Sequence, residues 1–335
     1  VADLIAAHAR LAAAAVLLSL VVPAWVLPRA TIDNSIDVWT GRHGQDARRY
    51  AQFVQRYGSD EFVLAAVETP DPLSPQSLAA QRKLAAALRA VPGVQDVMDL
   101  PESLDSMKLA PTPAATQPQR DGLIRNLLIS ADGRTAGMVA WLAPLSGPSA
   151  RREVVGAIQA AAAAAERPDF RVHLAGTPLL NVELDLASAR EAATLLPAAG
   201  IVAVLALVLM LRSFAGVAAC LAGVSASVLW TVGLMILAGR SLNMVTLGLP
   251  PLLFVLCMSP GIYIASRFAA HRAPGRSPAE AMRETLRPLV LPILLAGVTT
   301  AVGFGSLMIA SIEPVRDLGI FAAAGILISV ACNLL

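Results

Sequence analysis

Four histidines (His8, His43, His173 and His271) and three cysteines (Cys220, Cys257 and Cys332) are scattered along 335 residues, none of them in metal-ligand spacing. No metal centre and no disulfide framework is therefore expected. Glycine-rich loops that would cradle a phosphate are missing, and no serine, histidine and aspartate can be placed as a nucleophilic set. The chain is not expected to be an enzyme, to carry a cofactor or to bind nucleic acid. Charge is scarce too: Asp, Glu, Lys and Arg make up 15 % of the residues, with a net charge of +2. The mean hydropathy of +0.63 lies well above that of a soluble domain of this length.

The places with no charge at all are the most informative. They are Leu11–Pro28, Ala192–Leu211, Ser213–Gly239, Ser241–Ser266, Pro288–Ile312 and a last run that opens at Leu318 and continues to Leu335. Crossing a bilayer core takes about 20 apolar residues, and each run is long enough. A charge in hydrocarbon is costly, which accounts for its exclusion. The arginines sit between the runs. Arg10 precedes the first, Arg212 lies in the tight turn after the second, and Arg267, Arg272, Arg276, Arg283 and Arg287 cluster between the fourth and fifth. The positive-inside rule makes all three places cytoplasmic. Counting spans then puts the N-terminus inside and residues 29–190 outside. The first run ends in Trp25, Val26, Leu27 and Pro28, with no small-residue cleavage site, so an uncleaved span with Trp25 as its interfacial anchor is expected. The cysteines fall inside apolar runs and read as small buried apolar residues.

Three regions follow: residues 1–28, an outside domain at 29–190, and residues 191–335 with a cytoplasmic loop at 267–287. In the outside domain the period alternates between helix and strand. Helices are expected at Asp46–Tyr57, from Ser74-Pro75 to about Ala90, and from Ser149 to about Ala165. Strands are expected at Phe62–Val67, Val94–Leu100, Thr135–Leu142 and Phe170–Ala175. A proline-rich stretch at 111–118 interrupts them. The order is β-α-β twice, the split or ferredoxin-like arrangement. Pro178–Ala193 reads as a helix that runs on into the second span.

Small residues four apart let membrane helices approach closely. The fifth run supplies Gly297, Ala301 and Gly305, and the third supplies Ala215, Ala219, Gly223 and Ser227. In the cytoplasmic loop, Ser277-Pro278-Ala279-Glu280 is a capping box with proline at the first helical position, expected to open a short helix to Leu286 along the membrane face. Its arginines are placed to meet anionic headgroups. Glu313, Arg316 and Asp317 fall in the outer turn after the fifth span and read as surface ion pairs.

Three features carry a resemblance to the RND superfamily and, within it, to the lipid-exporting branch called MMPL. One is the layout of a span, a large outside domain and five closely spaced spans. Another is Val298-Thr299-Thr300-Ala301-Val302-Gly303-Phe304 followed by Glu313-Pro314-Val315-Arg316-Asp317-Leu318-Gly319. The third is Tyr263–Phe268, ending Ser266-Arg267-Phe268. The resemblance implies an α-helical membrane bundle of six spans, the last truncated, with a porter-type α+β domain after the first span. It implies an exporter of hydrophobic or lipid-like molecules in a bacterial inner membrane. Relatives have two such halves, so the chain is expected to be a fragment whose partner is a second half or another copy of itself. Its other expected partners are membrane lipids and a lipid-like substrate.

The sequence departs from that pattern at one important place. Proton-driven relatives carry an aspartate in the fourth span, at or next to Ser259 and Pro260 here. Met258-Ser259-Pro260-Gly261-Ile262-Tyr263 contains no carboxylate. A proton carrier needs a group that gains and loses charge; Ser does not titrate in that range, and Tyr263 has a reference pKa of about 10. Ser259, Tyr263, Thr299 and Thr300 are the transport-pathway candidates. On one reading Ser259 relays a proton or holds a water beside the Pro260 kink; on the other, Ser and Thr re-satisfy a kinked backbone. No proton relay is assigned to this half. The missing carboxylate also fits a non-transporting receptor of the sterol-sensing type, or an accessory half-transporter working in an oligomer.

Overall fold

The computed structural model describes residues 18–35, 38–39, 45–57, 61–109, 128–145, 147–272 and 277–334. Arg10, the opening of the first apolar run, the 111–118 stretch and Arg276 lie outside the described residues. The chain divides into two compact units, Arg42–Leu186 and the combination of Val1–Gly41 with Ala187–Leu335.

The described part of the first run holds a helix, α1 (Val21–Val26), followed by a single 3-10 turn. Trp25 is exposed there, and the Arg29 guanidinium lies 3.8 Å over its ring, a cation–π contact.

The Arg42–Leu186 unit contains α2 (Gln45–Tyr57), β1 (Phe62–Glu68), α3 (Pro75–Arg89), β2 (Val94–Met98), α4 (Leu100–Leu109), β3 (Thr135–Leu142), α5 (Pro148–Ala165) and β4 (Arg171–Ala175). The sheet order is β2-β3-β1-β4, and every neighbouring pair is antiparallel. β3 thus lies between β1 and β2, the strands flanking α3. Strand alternation sorts side chains by face. Val63, Ala65 and Val67 of β1 are buried opposite Ala140, Met138 and Ala136 of β3. That face packs on Leu84 and Leu88 of α3 and on Val154, Ile158 and Ala162 of α5. Ser74 caps α3, its hydroxyl accepting from the Ser77 N–H. Gly93 turns the chain into β2 with φ +99°, and a Cβ there would stand 2.9 Å from Val154 Cγ2, so only glycine fits.

One element was not expected. β2 ends at Met98, and α4 begins two residues on, because Asp99 caps it: its carboxylate accepts from the Glu102 N–H at 2.7 Å.

The other unit is a bundle of long helices: α6 (Thr177–Leu211, whose first turns belong to the sheet unit), α7 (Phe214–Leu237), α8 (Leu249–His271), α9 (Pro278–Gly305) and α10 (Glu313–Leu334). Among the described residues these helices, two of them extended by a 3-10 turn, give five segments long and apolar enough to cross a membrane. α10 is the central one, with 56 % of its most apolar window buried against 11 % for α6. Gly325 and Gly297 explain the closeness of packing. A Cβ on Gly325 would meet Thr231 Oγ1 of α7 at 2.4 Å, and one on Gly297 would meet Val330 of α10 at 2.3 Å.

Three expectations are corrected here. The capping box at Ser277 and Glu280 forms, with both reciprocal bonds, but no separate surface helix ends at Leu286. α9 runs unbroken from Pro278 through Pro288 and Pro292 to Gly305. The residues Ser241–Val245 are not helical. Instead Ile32 bridges Leu242 in parallel, the Asp33 N–H donates to Leu242 O, and the Leu242 N–H donates to Thr31 O. Finally, the expected row on α7 packs only in part: Ser227 is buried, while Ala215 and Ala219 are exposed.

Candidate functional site in the helical unit

The four sequence candidates lie on α8 and α9. Ser259 is exposed, and Tyr263 is 61 % exposed on the same helix. α8 buries Leu253, Cys257, Gly261 and Ile264 instead, and Ser259 lies off that stripe. α8 stays helical through Pro260. Thr299 is exposed and donates to Leu295 O at 2.9 Å and Ala296 O at 3.0 Å; Thr300 is half-buried and donates to Ala296 O at 2.7 Å. Both hydroxyls are therefore turned back onto their own helix. The structure does not bring the four into one enclosed site. Three of them, Ser259, Tyr263 and Thr299, are exposed on two neighbouring helices, and Thr300 is half-buried.

Three polar groupings of the helical unit are largely buried instead. The first runs between α7, α8 and α10. Ser227 Oγ donates to Gly223 O and Thr231 Oγ1 to Ser227 O, both at 2.7 Å, and both side chains are fully buried. Asn333 Nδ2 donates to Ser329 O at 2.9 Å and Ser329 Oγ at 3.1 Å, and reaches Cys257 O at 3.5 Å. A Cβ on Gly261 would stand 2.9 Å from Asn333 Oδ1 and 3.0 Å from Cys220 Sγ, so glycine makes the space for this amide.

The second grouping corrects the surface ion-pair expectation. Glu313 and Asp317 are not in an exposed turn; they open α10 and are both buried. Arg240, which follows α7, pairs with Glu313 and lies 3.6 Å from Asp317, while Arg316 lies 3.8 Å from Glu313. Among the described residues two carboxylates face two guanidiniums. Asp317 Oδ1 is buried with no hydrogen-bond partner. The arrangement ties the start of α10 to the chain between α7 and α8. A matching of one sign to the other more than 70 positions away leaves no mark in a local sequence pattern.

The third is a knot of short polar side chains. Asn243 Oδ1 accepts from the Val245 and Thr246 N–H groups, and Thr246 Oγ1 accepts from the Asn243 N–H. Asn34 Oδ1 accepts from the Met244 N–H at 2.8 Å, and Asn34 Nδ2 donates to Ser188 Oγ at 3.3 Å. These side chains complete the backbone bonding where Ser241–Val245 leaves the helix, as a buried unpaired backbone group would be costly.

Among the described residues no cluster of three or more His, Cys, Asp or Glu side chains is placed to hold a metal ion. The family model described as the MMPL family matches residues 44–334, covering the sheet, the five long helices and all but the 31–35 side of the polar knot. No curated protein matches the chain.

Proposed function

Because the chain belongs to the MMPL family, we propose that it is an RND-type secondary transporter that exports hydrophobic or lipid-like molecules. It works as one half of a twelve-span assembly, completed by a second half or a second copy. The observation that carries this reading is the combination, in one chain, of a four-stranded antiparallel sheet unit and a bundle of apolar helices. In the proposed orientation the ends bearing Arg212, Arg267, Arg272, Arg283 and Arg287 face the cytoplasm. The first run completes six spans in a bacterial inner membrane, and residues 29–190 lie outside. The position of β3 between β1 and β2 supports a ferredoxin-like, porter-type domain there.

The exposed polar groups on α8 and α9 support a missing neighbour. Ser259 and Tyr263 would face hydrocarbon in an isolated bundle, at a cost for an unpaired polar group, whereas the exposed Thr299 hydroxyl is already bonded to its own helix. A second half docked on α8 and α9 encloses them and makes them, with Thr300, part of the transport pathway. Purified protein reconstituted in vesicles tests the proposal. A labelled lipid is expected to move outward under a proton or sodium gradient, and no movement under either would overturn it.

One observation favours a second reading. α8 carries no Asp or Glu, so this half has no carboxylate where proton-driven relatives keep one. A receptor of the sterol-sensing type needs none. It would be recognised by a hydrophobic ligand that raises the thermal midpoint without any flux.

A further inference from the structure

The last rung joining β1 to β4 pairs Glu68 with Arg171. Just beyond it, Thr69 and Phe170 line a cavity of about 170 Å³ beside the first turns of α3. Two tight turns supply its other walls. The Arg167 N–H donates to Phe170 O at 2.9 Å and the Phe170 N–H to Arg167 O at 3.1 Å, which closes the chain over Pro168 and Asp169. In the second turn the Asp71 carboxylate accepts from the Leu73 N–H at 3.0 Å, and Ser74 Oγ donates to Asp71 O at 2.9 Å. Each turn is held by its own hydrogen bonds, so these walls are ordered before any ligand arrives.

The lining is mixed in chemistry. Phe170 is buried and gives an apolar surface. Arg167, Asp71 and Asp169 are exposed, and among the described residues none of the three makes an ion pair, although all line one cavity. Two buried hydroxyls join them: Thr69 is 8 % exposed and Ser77 5 %. Among the described residues Thr69 Oγ1 has no hydrogen-bond partner, yet it is not sealed off from the cavity. Ser77 Oγ accepts from Gln81 Nε2 at 3.1 Å and gives its own hydrogen to no described acceptor. A buried hydroxyl ordinarily has its partners, so this unused capacity points to a ligand. The volume equals that of roughly five or six waters at ~30 Å³ each, room for a molecule of about six to eight non-hydrogen atoms.

We propose that this cavity binds a small zwitterion of the α-amino-acid kind. Arg167 receives the carboxylate, and Asp71 and Asp169 receive the ammonium group. Thr69 and Ser77 hydrogen-bond the polar atoms between them, while the carbon skeleton rests on Phe170. A lone anion meets two carboxylates there and a lone cation meets the guanidinium, a repulsion that a zwitterion offsets. The proposal rests on the sheet unit alone and not on transport, so a failed flux assay would leave it standing.

Isothermal titration calorimetry of the detergent-purified full chain tests it, with L-serine as the zwitterion, ethanolamine as the cation alone and glycolate as the anion alone. The parent is expected to bind one L-serine per chain, and ethanolamine and glycolate at least about tenfold more weakly. Arg167→Gln removes an exposed side chain that holds no other residue, and is expected to weaken L-serine binding about tenfold. Thr69→Val keeps the shape, loses the hydroxyl and is expected to weaken it about fivefold. Should the valine variant fail to fold, Ala80→Leu fills the cavity from a half-buried position on α3 and is expected to abolish binding. No binding of L-serine by the parent would overturn the proposal. So would ethanolamine or glycolate binding as tightly as L-serine, or an Arg167→Gln variant that binds L-serine as the parent does.

Discussion

The two units of this chain solve burial in opposite ways. In the sheet unit the core is built of apolar side chains; Arg82 and Asp105 pair at 2.7 Å with about half of each side chain exposed, while Arg151 is buried beside Glu61. In the helical unit Phe214 and Ile309 are each 92 % exposed, while Ser227, Thr231 and Thr246 are fully buried. Hydrocarbon around a helix rewards apolar surface and gives polar groups no partner, so serine, threonine and asparagine move inside, where a carbonyl is available. Buried polarity in the helical unit is therefore structural material, whereas the core of the sheet unit is apolar, with a few buried polar side chains such as Gln81, Asp99 and Arg151. The same residue type has a different meaning on either side of Ala187.

Removing one partner from each kind of ion pair breaks the comparison most directly. Arg240→Ala removes a guanidinium from beside the buried Glu313 and Asp317, and a loss of about 3–5 kcal/mol is expected. Thermal unfolding of the detergent-solubilised protein measures it; a shift no greater than for a surface mutation would mean that the carboxylates are hydrated. Gly325→Ala comes next. Its Cβ would stand 2.4 Å from Thr231 Oγ1, and overpacking of this sort costs about 1–3 kcal/mol. The paired variant Gly325→Ala with Thr231→Ala is expected to recover part of that loss, and failure to do so would place the clash elsewhere.

Asp99 sharpens the comparison within the sheet unit. Burial pushes its pKa above the ordinary carboxylate value, opposed by the Glu102 N–H bond and the Arg89 charge. The folded unit therefore holds this proton more tightly than the unfolded chain. That contribution is fully present below the unfolded value and is lost as pH rises through the folded one. Urea midpoints across the acid range are expected to show this fall in the parent and to lose it in Asp99→Asn, where the amide still caps α4. Identical slopes would count against the burial. The smallest effect belongs to Arg82→Ala: its pair with Asp105 is exposed, and about 0–1 kcal/mol is expected. A larger loss in the same urea titration would erase the contrast with Arg240.

Much of this architecture was legible because the local signals agree with one another. The strand alternation of Phe62–Glu68 and Thr135–Leu142, the caps at Ser74 and Ser277 and the apolar runs each follow from short-range rules. α4 was legible in principle: Asp99-Leu100-Pro101-Glu102 has an acceptor, an early proline and an acidic third position, but Leu100 also fits the end of a strand. The unbroken α9 was obscured by Pro288 and Pro292, which mark helix boundaries in water and are tolerated inside membrane helices. Of the candidate site, the sequence supplied residue types without their facing. Ser259, Tyr263 and Thr299 are exposed and Thr300 is half-buried, a matter of rotation about α8 and α9. The pairing of Arg240 with α10, and of Asn34 with Met244 and Ser188, depends on contacts between distant positions that no local pattern records.

That last contact has a consequence for how the chain is divided. Asn34 and Ser188 are 154 positions apart, yet their side chains touch at 3.3 Å. The strand of chain leaving the bundle and the helix returning to it are thus fastened side by side, independently of whatever lies between them. The sheet unit is in that sense a cassette. Doubling the length of a flexible insert between fastened ends adds only about 0.6 kcal/mol of closure entropy. Enlargement, replacement or loss of the cassette is therefore a small perturbation to the bundle, and the two units are free to diversify at different rates.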